Sequence, residues 1–206
     1  DVVYDELGRG SYTLLKKGQK CGQVSLGVVG EHNILNSLSV IALMDILQID
    51  SDTVLKALST FSGTDRRFEY KGEVGGVTVL DDFAHHPTAI RETIAALRQK
   101  MEGNARMIAV LEPRSNTMKM GTMKAQLPES LTGADHVVCY AAPTLTWDVA
   151  EAMEPLGAKV DVLHSIEETV EVAVRNAKPG DYLLVMSNGG FGGIHGKLLD
   201  ALKARA

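Results

Sequence analysis

Cysteine is scarce. The 206 residues include two, Cys21 and Cys139, too few for a disulfide framework, so a reducing, cytoplasmic setting is the expectation. Basic charge is also short: 21 Lys and Arg stand against 26 Asp and Glu, a net charge of −5. That argues against nucleic acid as a partner, which usually needs a basic face. No run approaches the roughly 18 consecutive apolar residues of a membrane span, so no membrane partner is expected. No charged-then-apolar signal segment opens the chain, and no internal repeat or low-complexity stretch interrupts it. What is present is ordinary for a globular protein, 45% hydrophobic and 23% charged, which excludes a disordered tail or a collagenous chain. The length predicts one domain and a remainder. The chain opens on Asp1, and its first residues already read as strand; a piece of something longer is the expectation.

Residues 1–28 read as short β segments, Ser11–Leu15 and Gln23–Val28 among them, with Gly18 and Gly22 breaking the stretch between. From Asn33 the period changes. Leu35, Leu38, Ile41 and Ala42 fall three or four apart and predict a helix with one apolar face to about Gln48. Ser51 or Asp52 can cap a second helix over 52–60. The loop from Phe61 to Asp65 is the candidate domain boundary. Beyond it, short apolar runs alternate with helical periods. Strands are predicted at 77–80, 107–111, 136–140, 160–163 and 182–186. Helices are predicted from Pro87, from the end of the polar loop 112–117 to about Leu131, over 147–156, around 170–177 and over 194–204. This order implies right-handed βαβ units, hence an α/β fold with a mostly parallel, Rossmann-like sheet covered by helices on both faces. Ligands bind such sheets beyond the carboxyl ends of the strands, so the informative loops are 81–87, 112–118, 141–146 and 187–193.

The first of these, Asp81-Asp82-Phe83-Ala84-His85-His86-Pro87, admits several readings. A metal site is disfavoured because adjacent histidines rarely converge on one ion. Nucleotide and substrate contact is open, since a carboxylate at a strand end can take ribose hydroxyls and a histidine a substrate head group. Simple turn capping is open too. In 112–119, Ser115, Asn116 and Thr117 are natural helix caps, while Arg114 and Lys119 can clamp an anion. The glycine-rich run Ser187–Lys197 fails the phosphate-loop spacing, because the first glycine would fall on Phe191 and Leu198 stands where Ser or Thr is needed. It fails the dinucleotide pattern as well. Close packing at the sheet edge is the preferred reading, with ligand contact second. At the first helix, Asn33 and Asn36 share a face and can read a base edge, although N-capping by Asn33 ranks first. Arg66-Arg67-Phe68-Glu69 is linker charge, or Arg67 reaches a nucleotide bound between domains.

These pieces occur together in one family. The run Gly30-x-His32-Asn33-x-x-Asn36, then Phe61-Ser62-Gly63, then Arg66-Arg67-Phe68-Glu69, then Asp81-Asp82-Phe83-x-His85-His86-Pro87-Thr88 resembles the Mur ligases, the ATP-dependent amide-forming enzymes of peptidoglycan assembly in bacteria. The Asp-Asp-aromatic-x-His-His-Pro-Thr form resembles the branch acting on UDP-N-acetylmuramate. Within it, Glu112-Pro113-Arg114-Ser115-Asn116-Thr117-Met118-Lys119 is similar to members that add the murein tripeptide L-alanyl-γ-D-glutamyl-meso-diaminopimelate during recycling. It lacks the Pro-His-Arg-Tyr-Thr-Arg run of the L-alanine-adding members, which remain the alternative beside a non-catalytic nucleotide- or peptide-binding module. The resemblance implies that residues 1–66 are the end of the central ATPase domain and 67–206 the carboxyl-terminal domain. The phosphate loop, the Mg²⁺ ligands and the catalytic residues are implied upstream, so the piece alone is expected to be inactive and to hold no metal site. It further implies ATP contacts at His32, Asn33, Asn36, Arg67 and Asp82, with the two asparagines on adenine and Asp82 on ribose. Phe83 and His85 are implied near the incoming amine, and Arg114, Ser115, Asn116 and Lys119 where that substrate is selected. Phe83 departs from the tyrosine of the L-alanine-adding members and so lacks a hydroxyl.

Overall fold

Tyr12, Val24 and Leu26 point to one side of an antiparallel meander and are buried there together with Ile34. The meander is β1 (Val2–Tyr4), β2 (Arg9–Lys16) and β3 (Gln19–Val29), in that order. A computed structural model describes residues 1–205 and divides into two units, Asp1–Thr64 and Asp65–Ala206. The meander belongs to the first. Helix α1 (Glu31–Ile46) follows it directly, with Gly30 at φ 95° as its cap residue. Asn33 therefore does not cap the helix, contrary to the preferred reading of the sequence; it lies inside the first turn. The buried positions of α1 are Ile34 and Ser37, the latter through a 2.7 Å hydrogen bond with the Tyr12 hydroxyl. Leu35 and Leu38, expected on the buried stripe, are exposed. The helical period is present, but the buried face is the one that carries Ile34 and Ser37. Helix α2 (Ser51–Thr60) is capped by Asp50, whose carboxylate accepts from the Thr53 amide at 3.0 Å.

The carboxyl end of α2 lies against β3 with no room to spare. A Cβ on Gly27 would stand 2.3 Å from the Phe61 carbonyl oxygen and 3.0 Å from that of Ser59. Both obstacles are backbone. Gly27→Ala should therefore lower stability by about 1–3 kcal/mol, read as an earlier thermal transition in far-UV circular dichroism; an unchanged transition would show that the α2 end yields freely.

The second unit holds a six-stranded sheet. Its members are β4 (Glu69–Val74), β5 (Val77–Asp82), β6 (Met107–Leu111), β7 (His136–Tyr140), β8 (Val160–Leu163) and β9 (Tyr182–Met186). The order is β4-β5-β9-β6-β7-β8, all parallel except β4 against β5. The fold is thus α/β with a mostly parallel sheet. Its central strands are continuous apolar runs because both faces are covered. One face carries Leu80, Ala109, Leu111, Val137, Cys139, Leu184 and Met186 against α3 (Pro87–Lys100) and α5 (Leu127–Ser130). The other carries Val77, Val79, Ile108, Val110, Leu183 and Val185 against α7 (Ile166–Asn176) and α8 (Ile194–Arg205). The single helix expected from the end of the 112–117 loop to about Leu131 is broken. It becomes α4 (Asn116–Lys119), a 3₁₀ turn and α5, because Gly121 turns the chain at φ 70°. The helix expected over 147–156 shortens to α6 (Val149–Met153) and passes into 3₁₀ turns at Pro155. Among the described residues, no helix is long and apolar enough to cross a membrane.

Candidate active site

Strand register brings three loops to one level. Leu111 and Asp82 both pair with Met186, so residues 83–86, 112–115 and 187–193 leave adjacent strand ends together.

Successive residues of a strand point to opposite faces, and this separates the two aspartates that close β5. Asp81, on the α8 side, is 1% exposed. Its carboxylate accepts from Arg66 Nε at 2.9 Å and Nη2 at 3.4 Å, and His195 Nε2 stands 3.1 Å away. Burial alone would raise its pKa, but His195 and Arg66 outweigh burial and hold it below the usual carboxylate range. Asp82, on the α3 side, is equally buried. It accepts from the Ala84 amide at 2.8 Å, the Phe68 amide at 3.1 Å and Thr93 Oγ1 at 3.2 Å. Here burial prevails over those hydrogen bonds and raises the pKa.

Arg67 Nη1 lies 3.8 Å from Asp82 Oδ1, with half of its side chain exposed. Both arginines sit over the Phe83 ring, Arg66 at 5.2 Å and Arg67 at 6.0 Å. Phe83 also meets the His85 ring edge-on, and His85 Nδ1 is 2.8 Å from the Phe83 carbonyl. His86 caps α3 through the Thr88 amide. With the two aspartates on opposite faces and His86 used as a cap, this loop does not gather its donors around one ion. Among the described residues, no group of three or more His, Cys, Asp or Glu side chains is placed to hold a metal.

The second and third loops interlock. Glu112 is buried and accepts from the Ser187 hydroxyl, which itself accepts from the Gly189 amide at 3.0 Å. Arg114 Nη1 is 4.0 Å from Glu112 Oε1, and half of its side chain is exposed. The guanidinium lies so close over Gly189 that a Cβ there would fall 2.5 Å from Nη1. Ser115 caps α4 by accepting from the Met118 amide at 3.3 Å. Asn116 is exposed and Lys119 half-buried. The Lys119 carbonyl accepts from Thr146, and the Met118 carbonyl from the indole of Trp147, so the 141–147 loop buttresses this helix. In the first unit, Asn33 Nδ2 donates to the Val29 carbonyl at 2.7 Å and Asn36 Nδ2 to Asn33 Oδ1 at 3.3 Å. These two amides share a face, and half-buried His32 precedes them.

Arg66, Asp81, Glu112, Ser187 and His195 were not singled out from the sequence. Period-two alternation through the Asp-Asp pair was the available signal for Asp81. The others are joined by contacts across 75 to 121 residues of chain, which no local pattern carries.

Comparison with known proteins agrees with this architecture. The chain is 48% identical over 195 residues to the UDP-N-acetylmuramate–L-alanyl-γ-D-glutamyl-meso-2,6-diaminoheptandioate ligase of Escherichia coli, covering 95% of this chain and 43% of that protein. It is 37% identical to the UDP-N-acetylmuramate–L-alanine ligase of Lachnospira eligens, covering 92% of this chain and 42% of that one. A crystal structure of a murein peptide ligase from Psychrobacter arcticus superposes with a TM-score of 0.78 at 36% identity, over 98% of this chain and 43% of that chain. The chain thus spans less than half the length of each of these three relatives. The family described as Mur ligase, glutamate ligase domain, matches residues 66–189. On that match, which spans more than half of the chain and reaches into the third strand-end loop, the chain belongs to the Mur ligase family.

Proposed function

We propose that this chain serves an ATP-dependent ligase that joins the tripeptide L-alanyl-γ-D-glutamyl-meso-diaminopimelate to UDP-N-acetylmuramate, in the cytoplasm, during peptidoglycan recycling. Residues 1–66 are assigned to the end of its central ATPase domain and 67–206 to its carboxyl-terminal domain. The reaction runs through an acyl phosphate. The lactyl carboxylate attacks the γ-phosphorus of ATP and releases ADP; the tripeptide amine then attacks the acyl carbon, loses a proton, and phosphate leaves. Charge neutralisation and positioning dominate such steps. Asn33 and Asn36, with His32 beside them, are assigned to adenine, and Arg67 to the phosphates. Asp82 accepts three hydrogen bonds and is 1% exposed, so it reaches a ribose only if the residues that cover it move, and its assignment carries a conformational requirement. The Mg²⁺ that accompanies ATP is assigned ligands outside this chain. Phe83, His85, Arg114, Ser115, Asn116 and Lys119 are assigned to the incoming tripeptide, with Ser115 acting through the α4 turn that it caps.

One observation carries the acceptor assignment. The Arg114 guanidinium is half exposed above Gly189 and only loosely engaged by Glu112, which leaves its fork open to a carboxylate. The tripeptide offers carboxylates that free L-alanine lacks beyond its own α-carboxyl. In the full-length enzyme, the tripeptide should support turnover and L-alanine should not. Arg114→Ala should raise the KM for tripeptide roughly 10- to 100-fold, the loss of one charged hydrogen bond. Turnover with L-alanine in place of tripeptide would overturn the acceptor, and unchanged kinetics in the variant would remove Arg114 from the site.

A further inference from the structure

Residues 66–68 adopt a backbone that their side chains do not favour. Arg66 lies at φ 59° and Phe68 at φ 50°, both left-handed and neither a glycine. Such a conformation persists only where its surroundings over-determine it, and here they do. The Arg66 amide donates to Glu69 Oε2 at 3.0 Å, its carbonyl accepts from the Phe83 amide at 2.8 Å, and the Phe68 amide donates to Asp82. The zigzag sends the Arg66 side chain to Asp81 on one face of the sheet and packs Phe68 against the core of the other. Arg67, between them, is turned outward with half of its side chain exposed.

We propose that Arg66 is a positioning residue that fixes the direction of Arg67; the inference rests on the assignment of Arg67 to ATP. The Arg66 guanidinium spans two anchors at once, donating to the Asp81 carboxylate and, through Nη2, to the Ser187 carbonyl at 2.7 Å. It thereby ties the 66–68 segment to the ends of β5 and β9 together. His195, from the first turn of α8, places Nε2 3.1 Å from Asp81 Oδ1, so the carboxylate is enclosed between α8 and the Arg66 fork. A lysine keeps the charge but offers one nitrogen in place of the fork; it loses the separate Nε bond to Asp81 and with it the two-pronged grip that fixes the side chain's direction.

The test is a pair of variants and their combination in the full-length enzyme. Arg66→Lys and Arg67→Ala should each lower kcat/KM for ATP on the order of 10- to 100-fold, the cost of a misplaced charge. KM for the tripeptide should stay unchanged. The double variant should be no worse than Arg67→Ala alone, because Arg66 acts through Arg67. A double variant that falls by the product of the two single effects would overturn the inference, as would an unchanged Arg66→Lys beside an impaired Arg67→Ala. An unchanged Arg67→Ala would instead overturn the assignment of Arg67 to ATP, and this inference with it. If thermal unfolding shows Arg66→Lys to be misfolded, Glu69→Ala takes its place. That variant removes the acceptor of the Arg66 amide and also frees Lys71, which stands 3.9 Å from Asp81, so Lys71→Ala is its control. A loss in kcat/KM for ATP beyond that control that vanishes in the Arg67→Ala background supports the inference, and one that persists there, or no such loss, overturns it.

Discussion

Phe191→Ala is expected to remove about 3–5 kcal/mol of stability, a large part of the roughly 5–15 kcal/mol that holds a domain together. Phe191 is 0% exposed although it stands in the loop Gly189-Gly190-Phe191-Gly192-Gly193. Its ring stacks on Tyr140 at 5.8 Å and packs with the core between the sheet and helices α7 and α8. The residue sits at φ 40°, so alanine would lose the ring and keep the strain. The burial explains why a stretch rich in glycine is ordered enough to carry Gly189 beneath Arg114: the aromatic side chain is the nail, and the glycines let the chain bend around it. Urea unfolding followed by the fluorescence of Trp147, the one tryptophan, gives the measurement. A loss below about 0.5 kcal/mol, the scale of a typical surface change, would mean that the loop is not anchored through this ring.

The second expected result concerns the two aspartates of β5. Asp82→Ala leaves the Ala84 and Phe68 amides and the Thr93 hydroxyl without their acceptor at a buried site. At about 1–3 kcal/mol for each stranded donor, without full additivity, the loss should be about 3 kcal/mol. Asp82→Asn should fall between wild type and alanine, since one carbonyl oxygen remains and the new amide meets a donor. The pH dependence separates the neighbours. Burial raises the Asp82 pKa above its ordinary value near about 3.9. A raised carboxylate pKa means that the folded state binds the proton more tightly, so this group adds stability as pH falls through its folded pKa. Asp81 is displaced downward. Its contribution is present above the ordinary carboxylate value and is lost as pH falls through its own folded pKa. The deficit of Asp82→Asn should therefore be larger near pH 4 than at pH 7, and that of Asp81→Asn smaller near pH 3 than at pH 7. Parallel deficits across that range would contradict the opposite displacement of the pair.

How far the sequence reaches can be judged strand by strand. Met107–Leu111, His136–Tyr140 and Tyr182–Met186 were legible because strands covered on both faces must be apolar throughout. Strand β4 was not read. Its Glu69-Tyr70-Lys71-Gly72-Glu73-Val74 run lies at the sheet edge, where one side meets water and no apolar run is required. Helix boundaries failed where a single residue redirects the chain, as Gly121 does between α4 and α5. At the candidate site the motif residues were visible, but the groups that orient them were not. Arg66 read as linker charge, and Glu112 as the start of a polar loop.

By itself, the sequence determined the class of fold, the alternation that makes loops at one sheet edge the place for chemistry, and the motifs that mark the family. Each of these follows from short-range periodicity or from residues adjacent in the chain. Tertiary structure alone decided strand order. Inserting β9, last in the chain, between β5 and β6 sets Ser187 beside both Arg66 and Glu112. It also decided the opposite protonation tendencies of Asp81 and Asp82, two identical residues in succession. The strand turns Asp81 toward Arg66 and His195 and Asp82 toward two backbone amides and a hydroxyl, with Arg67 farther off at 3.8 Å. The balance between burial and its neighbours is a property of space rather than of position in the chain.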